Sequence, residues 1–243
     1  MVAHALQVRC VYYNGGVIAV PSIWFMMIKI IIDECDSFYR HGMNALLGKV
    51  FLEQFDECIS VTSEMAPHSI AMADVIVLGL SPGEISICHP FLHARKKNSL
   101  ILGIYEGNHK PQFDDLPLCF KNIIFINRTE PVSRIKKKIF HGWENCRTQS
   151  ILPHHWKCHD CKHKTLSPQQ INVATHYYRG DKAEQIAGIM HISVKTVFTH
   201  KRMIMGKFDV HSDYELFTLL KVMKALNNNT PDFLEAEREL KRA

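Results

Sequence analysis

Four short runs of apolar, mostly β-branched residues constrain the fold of the first half of this chain more than any other feature. They lie at 28–32, 75–78, 100–104 and 123–126. Continuous apolar runs are typical of strands buried on both faces, and long connections between strands are typical of parallel sheets. We therefore predict an α/β domain, with a parallel sheet covered by helices on both faces.

The first of these runs ends a longer apolar stretch, residues 15–32, that could be mistaken for a membrane span. It contains Pro21 and Lys29 and runs directly into Asp33. A spanning helix needs about 20 apolar residues. We interpret the second half of the stretch as a buried strand and predict no membrane partner.

The second half of the chain carries helix start and stop signals. Gly180 is placed to end the first helix, and Thr230-Pro231 to open a short tail helix. The start signals are N-cap serines, two of them with a capping-box partner three residues later: Ser167 with Pro168 and Gln170, Ser193, and Ser212 with Glu215. These signals predict an all-α, four-helix unit.

One predicted helix, residues 194–208, has a basic face and no acidic residue. Its apolar stripe consists of Val197, Ile204 and Phe208, with His200 completing the spacing of three and four. The opposite face carries Lys195, Phe198, Thr199 and Arg202. A helix with one face in a core and a basic face outward can lie in the major groove of DNA.

Sequence motifs across this unit resemble those of LuxR/FixJ (NarL-type) helix-turn-helix regulators. They follow the family order and spacing: Leu166-Ser167-Pro168, Gly180, Gln185-Ile186-Ala187, Ile192-Ser193-Val194-Lys195-Thr196-Val197, His200 and Lys207-Phe208-Asp209-Val210-His211-Ser212. Gln170 and Gln185 stand where the family has glutamates, and Asp209 replaces a glycine. Because Asp tolerates the left-handed conformation, we expect the fold to be kept.

The resemblance implies a helix-turn-helix over about 182–201, with 182–190 as scaffold helix and 194–208 as recognition helix. It implies that Phe198, Thr199 and Arg202 face base edges, with Phe198 either contacting a thymine methyl or packing at the surface. The other residues expected at the DNA, mainly as phosphate contacts, are Lys182, Lys195, Thr196, Lys201 and Lys207.

Residues 28–47, 74–80 and 124–128 resemble the first strand and helix, the third strand and the fifth strand of a response-regulator receiver domain, which implies a flavodoxin-like sheet. A receiver needs an acidic pair for Mg²⁺, an aspartate nucleophile after the third strand, and a lysine after the fifth. Asp33 and Glu34 keep the acidic pair, but Gly79 stands at the nucleophile position and Asn127 at the lysine position. The resemblance therefore implies a degenerate receiver that is not phosphorylated in the usual way.

The segment between the two halves is basic and rich in His and Cys. Eight basic and two acidic residues lie between 134 and 164, a balance that suits either a polyanion partner or a solvated linker. A Cys-x-x-Cys pair with nearby histidines lies in this segment: Cys158 and Cys161, with His155 and His163. These residues could bind a soft metal, act as a redox motif, or have no role beyond that of a linker. We assign no cofactor and no metal, and leave zinc open at these four residues.

The eight cysteines of the chain are scattered, and no secretory signal accompanies them. We therefore expect a protein of the reducing cytosol. Three of them stand beside apolar runs, as core thiols do: Cys58, Cys88 and Cys119.

Taken together, the sequence predicts an extension of uncertain status (1–26), a receiver-like domain (27–140), a linker (141–164), a DNA-binding domain (165–224) and a tail helix (225–243). The predicted function is sequence-specific transcription regulation in the bacterial cytoplasm, at the nucleoid when DNA is bound. We expect no catalysis, and binding to duplex DNA as a homodimer or as a heterodimer with a related regulator. Two alternatives remain: a phosphorylatable response regulator, and an interaction protein that titrates partners.

Overall fold

The computed structural model describes residues 27–107, 116–148 and 161–226, together with the backbone of two short antiparallel strands, β1 (Val11–Tyr13) and β2 (Gly16–Ile18). Most of the predicted extension, the first of the two linker cysteines and the predicted tail helix after Thr230 lie outside the described residues.

A five-stranded parallel sheet organises the first domain. Its strands are β3 (Ile28–Asp33), β4 (Ile59–Thr62), β5 (Val75–Gly79), β6 (Leu100–Tyr105) and β7 (Ile123–Asn127). They are arranged in the order β4-β3-β5-β6-β7, and every pair is parallel. This is the flavodoxin-like order, so the predicted fold class of this half is confirmed, with each of the four apolar runs forming a strand.

Two separate cores explain why the strands are continuously apolar. On one face, Ile30 and Val77 pack against α1 (Ser37–Phe55) and α3 (Val132–Thr148). On the other face, Ile31 and Ile76 pack beneath α2 (Pro67–Met72) and short 3₁₀ turns. Alternate residues of a strand point to opposite faces, and here both faces are buried.

The sequence does not predict β4, or the second half of α3. β4 pairs only with β3 at the edge of the sheet, and three of its four residues are exposed, so it lacks an apolar run. Helix α3 continues to Thr148, whereas the sequence places the linker from residue 141. Trp143, which lies 5.2 Å from the Phe51 ring, extends the apolar face that the lysines at 136–138 obscure.

The second domain consists of α4 (Pro168–Arg179), α5 (Ala183–Met190), α6 (Val194–Phe208) and α7 (Asp213–Ala225), confirming the predicted four-helix unit. The Ser167–Gln170 capping box is present and Gly180 ends α4 at φ 89°. One detail of the prediction is wrong: the Glu215 side chain accepts from the His211 amide (2.6 Å) rather than from that of the N-cap Ser212.

The two domains share part of a core. Ile87, on the loop after β5, is buried among helical-domain residues that include Phe208 and Leu219. Gly83 on the same loop has φ 78°, and a Cβ there would lie 3.0 Å from Val210. The helical domain therefore packs against the loop at the carboxyl end of the sheet.

The second half of the apolar stretch at 15–32 forms β3, as predicted. Within the described ranges no helix has the length and apolarity needed to cross a membrane. Cys88 and Cys119 are buried, as their neighbours predict. The prediction for Cys58 is wrong, since this residue is half-buried and disulfide-bonded.

Candidate nucleic-acid interface and receiver-like pocket

Helix α6 separates a buried stripe from an exposed basic face. Val197, Ile204 and Phe208 are at most 1 % exposed and hold the helix in the domain. Ser193 caps its start by accepting a hydrogen bond from the Thr196 amide at 3.1 Å. The residues opposite the stripe are exposed: Lys195, Phe198 (45 %), Thr199 and Arg202. The arrangement therefore matches the facing predicted from the periodicity.

Helix α5 packs against the first half of α6. Ile186 and Ala187 pack with Val197 in a small core of their own. The chain turns between the helices at His191, a non-glycine residue in the left-handed region at φ 52°. Lys182 is the N-cap of α5, and its amide donates to Gln185 Oε1 at 2.8 Å. The glutamine that replaces the family's glutamate thus still caps the helix.

Two lysines of the predicted DNA-contacting set point inward instead. Lys201 Nζ lies 2.7 Å from the Asp213 carboxylate and 5.0 Å from the centre of the Tyr177 ring, and the lysine side chain is only 13 % exposed. Lys207 Nζ donates to the Thr165 carbonyl at 2.8 Å. Both ammonium groups already have partners inside the domain, so they hold α6 in place rather than extend from it.

Two other members of the predicted set make local contacts. Thr196 Oγ1 lies 2.8 Å from Ser193 Oγ, and Thr199 Oγ1 donates to the Lys195 carbonyl at 2.9 Å. His200, predicted in the apolar stripe, is half-buried, and its Nδ1 has no hydrogen-bond partner among the described residues. Of the cations in the predicted set, Lys182, Lys195 and Arg202 are exposed.

The four predicted receiver positions lie at the carboxyl ends of β3, β5 and β7. Asp33 is exposed, whereas Glu34 is 4 % exposed. Arg128 Nη2 donates to both oxygens of the Glu34 carboxylate, at 2.8 and 2.7 Å, and the guanidinium lies 4.7 Å from the centre of the Tyr39 ring. A fixed cation thus neutralises the acidic residue that the sequence assigns to metal binding.

The Glu34 side chain also lies beside Gly79, the position at which a receiver carries its nucleophile. A Cβ at Gly79 would lie 2.7 Å from Glu34 Oε2, so the Glu34 side chain occupies the space next to the nucleophile position. Asn127 is also occupied elsewhere. Its Nδ2 donates to the Gly107 carbonyl at 2.6 Å, while its Oδ1 accepts from Thr129. The side chains of Glu34 and Asn127 are thus both engaged by other residues of the protein.

Residue Arg128 was not predicted from sequence. It stands next to the predicted Asn127, but it meets Glu34 across 94 residues of chain. The sequence did contain a hint of this contact. Receivers have a lysine after the fifth strand, and this chain has an arginine one position after the equivalent residue.

The structure describes only two of the four Cys and His residues that the sequence singles out in the linker. Cys158 and His155 lie outside the described residues, while Cys161 and His163 are half-buried. In the parts of the chain that the structure describes, no three His, Cys, Asp or Glu side chains are grouped as a formed metal site.

A scan against protein families matches residues 164–220 to bacterial regulatory proteins of the luxR family. A transcriptional regulatory protein of Bacillus subtilis (strain 168), YhcZ, itself described as uncharacterized, is 34 % identical over 89 residues. The match covers 34 % of this chain and 42 % of that protein, less than half of either.

Solved structures with a similar chain trace include the two-component response regulator RcsB in complex with DNA (16 % identity, TM-score 0.48, 80 % of this chain and 98 % of that one). Another is full-length FixJ from B. japonicum (15 % identity, TM-score 0.33, 79 % of this chain and 94 % of that one). The family match runs from just before α4 into α7, and these residues therefore form a domain of the luxR family.

Proposed function

We propose that this chain is a sequence-specific, DNA-binding transcription regulator that performs no catalysis and acts without phosphorylation. The observation that carries the proposal is the exposed, acid-free basic face of α6, within a domain of the LuxR family. The groove-facing residues of such a helix read base edges, while the surrounding cations position it on the phosphates.

Within this proposal, Arg202, Thr199 and Phe198 read the bases. Arginine can grip a guanine edge with two hydrogen bonds, and an exposed phenyl ring can contact a thymine methyl. Lys195 and Lys182, which are exposed, bind phosphate, with the Thr196 hydroxyl beside them. Lys201 and Lys207 support the helix from inside, which revises the phosphate role expected for them.

Independence from phosphorylation is supported by Gly79 and by the Arg128–Glu34 pair. A phosphoryl group needs a nucleophile and a divalent cation at the strand ends. Gly79 offers no nucleophile, and Arg128 already compensates the Glu34 charge. Control would then lie in the abundance of the protein, in a partner, or in a ligand of the receiver-like domain.

We also propose that the protein binds duplex DNA as a dimer, with itself or with a related regulator. One of the similar structures is described as two RcsB dimers bound to two parallel DNAs (18 % identity, TM-score 0.47, 80 % of this chain and 98 % of that one). Domain boundaries at about residues 27, 140, 165 and 224 remain part of the proposal, with the described α3 extending the first domain to Thr148.

The test is genome-wide mapping of binding sites for the full chain, followed by titration on a mapped duplex and on a scrambled one. We expect a defined motif, with log affinity falling by about 0.9 per unit of log salt for each phosphate contact. Arg179→Ala, which removes an exposed arginine from α4, serves as the control for nonspecific charge loss. Absence of a motif, or affinity independent of salt, would overturn the proposal.

A further inference from the structure

The outer face of α6 carries a glycine at the end of its row of exposed cations. Each residue of a helix advances by about 100° around the axis, so Gly206 lies on the same side as Lys195 and Arg202, one turn beyond Arg202. Gly206 is exposed, as both cations are, and the buried Ile204 lies on the opposite side. Gly206 therefore belongs to the face that is proposed to meet DNA, at its carboxyl-terminal end.

The backbone of α6 does not require glycine at this position. The helix is capped by Asp209, which adopts the left-handed conformation at φ 55° and donates its amide to the Met205 carbonyl. Gly206 lies three residues before this cap, inside the helix, and its φ is not positive. The conformational freedom of glycine is thus not used at Gly206, whereas the position that needs a left-handed residue holds an aspartate.

The packing of the helical domain does not require glycine there either. A Cβ at Gly206 would meet no atom of the described residues within 4 Å. At Gly103 in β6, by contrast, a Cβ would lie 2.7 Å from Ile123 Cδ1, so glycine is needed for the strands to pack. Glycine inside a helix is less stable than alanine. Gly206 therefore lowers the stability of α6, and no contact in the described part of the chain offsets this loss.

We propose that Gly206 lets the sugar–phosphate backbone of duplex DNA lie directly against the main chain of α6, a role that rests on the proposed DNA binding. Between Lys195 and Gly206 the exposed face extends for about 16 Å, at about 1.5 Å per residue, whereas the major groove is about 12 Å wide. A recognition helix inclined across the groove therefore brings an end of this face against one strand. Glycine permits such an approach, because it has no side chain to clash.

The two ends of the face differ in what they offer to a DNA strand. At the start of the helix, Lys195 is exposed and can reach a phosphate with a long cationic side chain. In the last turn, the Lys207 ammonium points inward and donates to the Thr165 carbonyl at 2.8 Å, and the exposed residue that follows the helix, Asp209, is acidic. Contact near Gly206 is therefore steric, with a deoxyribose fitting against the helix, and it involves no ion pair.

The test compares Gly206→Ala and Gly206→Leu with the wild type in the full chain, by thermal unfolding and by fluorescence anisotropy on the mapped duplex. Because both replacements are better helix formers than glycine and the site is open, the thermal midpoint should rise by about 2 °C. Affinity for the duplex should nevertheless fall, by about fivefold with alanine and about a hundredfold with leucine, the range that overpacking a fitted contact produces. The salt slope of Gly206→Ala should equal that of the wild type, since no cation is lost.

Gly42→Ala provides the matched control. Gly42 is an exposed glycine inside α1 of the receiver-like domain, and a Cβ there would also meet no atom of the described residues within 4 Å. This variant should be stabilised in the same way and bind DNA as the wild type does. Wild-type affinity in both Gly206 variants, a lowered thermal midpoint in Gly206→Ala, or an altered oligomeric state of Gly206→Leu without DNA in analytical ultracentrifugation would each overturn the role of Gly206. Failure of the wild type to bind duplex DNA would instead overturn the proposed function, and this role with it.

Discussion

The outer face of α6 and the pocket at the strand ends both contain arginine, yet they use it in opposite ways. Arg202 is exposed, on a helix without an acidic residue. Arg128 donates two hydrogen bonds to the buried Glu34 carboxylate. The two arginines therefore differ in their counter-charge: Arg128 pairs with a buried carboxylate, whereas Arg202 has no ion pair among the described residues.

The same contrast divides the lysines of α6. Lys195 is exposed, whereas Lys201 pairs with Asp213 and lies over an aromatic ring. Two lysines on one helix thus differ in environment: one is exposed, and the other has partners within the helical domain.

The Arg128–Glu34 pair should dominate the stability of the receiver-like domain. Arg128→Ala leaves the Glu34 carboxylate buried without its cation, which costs about 3–5 kcal/mol of unfolding free energy for such pairs. Urea denaturation measures this loss. Lys49→Ala breaks a largely exposed pair with Glu53 and should cost about 1 kcal/mol or less. Equal losses in the two variants would show that Arg128 does not compensate the buried Glu34 charge.

Glu84 offers the inverse of Glu34, because it is a buried carboxylate without a lysine or arginine partner among the described residues. Burial raises its pKa to about 7. A raised pKa means that the folded protein holds a proton which the unfolded chain releases near pH 4.5, so stability is lost as pH rises from there through about 7.

In Glu84→Gln this loss should be absent. The variant should therefore be more stable than the wild type at pH 8, by up to about 3 kcal/mol relative to the same comparison at pH 4.5. The nearby His89 has a pKa lowered to about 4 by burial, which acts in the opposite direction below pH 6.5, but it is common to both proteins. Parallel urea titrations at the two pH values measure the difference, and a pH-independent difference would contradict the assignment.

Arg202 should control sequence discrimination. Loss of a bidentate guanine contact costs about 1–3 kcal/mol on the cognate site. Arg202→Ala should therefore weaken binding to the mapped duplex far more than binding to a scrambled one. Fluorescence anisotropy on both duplexes checks this. Equal weakening on both would mean that Arg202 contacts phosphate and that α6 is rotated from the proposed facing.

The two lysines should give the smallest and most diagnostic difference. Lys195→Ala should weaken binding to both duplexes equally and flatten the salt slope by about one unit. Lys201→Ala should leave the salt slope unchanged and lower stability by about 1 kcal/mol or less, since its partner Asp213 is largely exposed. If the salt slope fell in Lys201→Ala instead, the inward orientation of that lysine would not persist on DNA.

The spacing of apolar residues was sufficient to predict the helices and strands whose buried positions recur at regular intervals. The strands with both faces buried and the stripe at Val197, Ile204 and Phe208 follow directly from apolar spacing. Strand β4, exposed at the sheet edge, has no such pattern, and the apolar face of α3 is interrupted by lysines.

The partners of charged groups could not be predicted in the same way. Lys201 meets Asp213 twelve residues later, Lys207 meets Thr165 across 42 residues, and Arg128 meets Glu34 across 94. Such long-range contacts depend on how whole helices and strands pack against one another. The sequence therefore identifies a cation, but it does not show whether the charged group faces solvent or a partner within the protein. The exposure of Phe198 and Arg202 therefore follows from the helical spacing, whereas the partners of Lys201 and Lys207 do not.

The central claim is that the helical domain binds DNA independently of phosphoryl chemistry in the receiver-like domain. It is tested most directly by titrating the full chain on a mapped duplex with and without acetyl phosphate, with Mg²⁺ present in both series. The account predicts superimposable binding curves and an unchanged intact protein mass. A shift in affinity of about tenfold (1.4 kcal/mol), accompanied by a phosphoryl adduct, would contradict it.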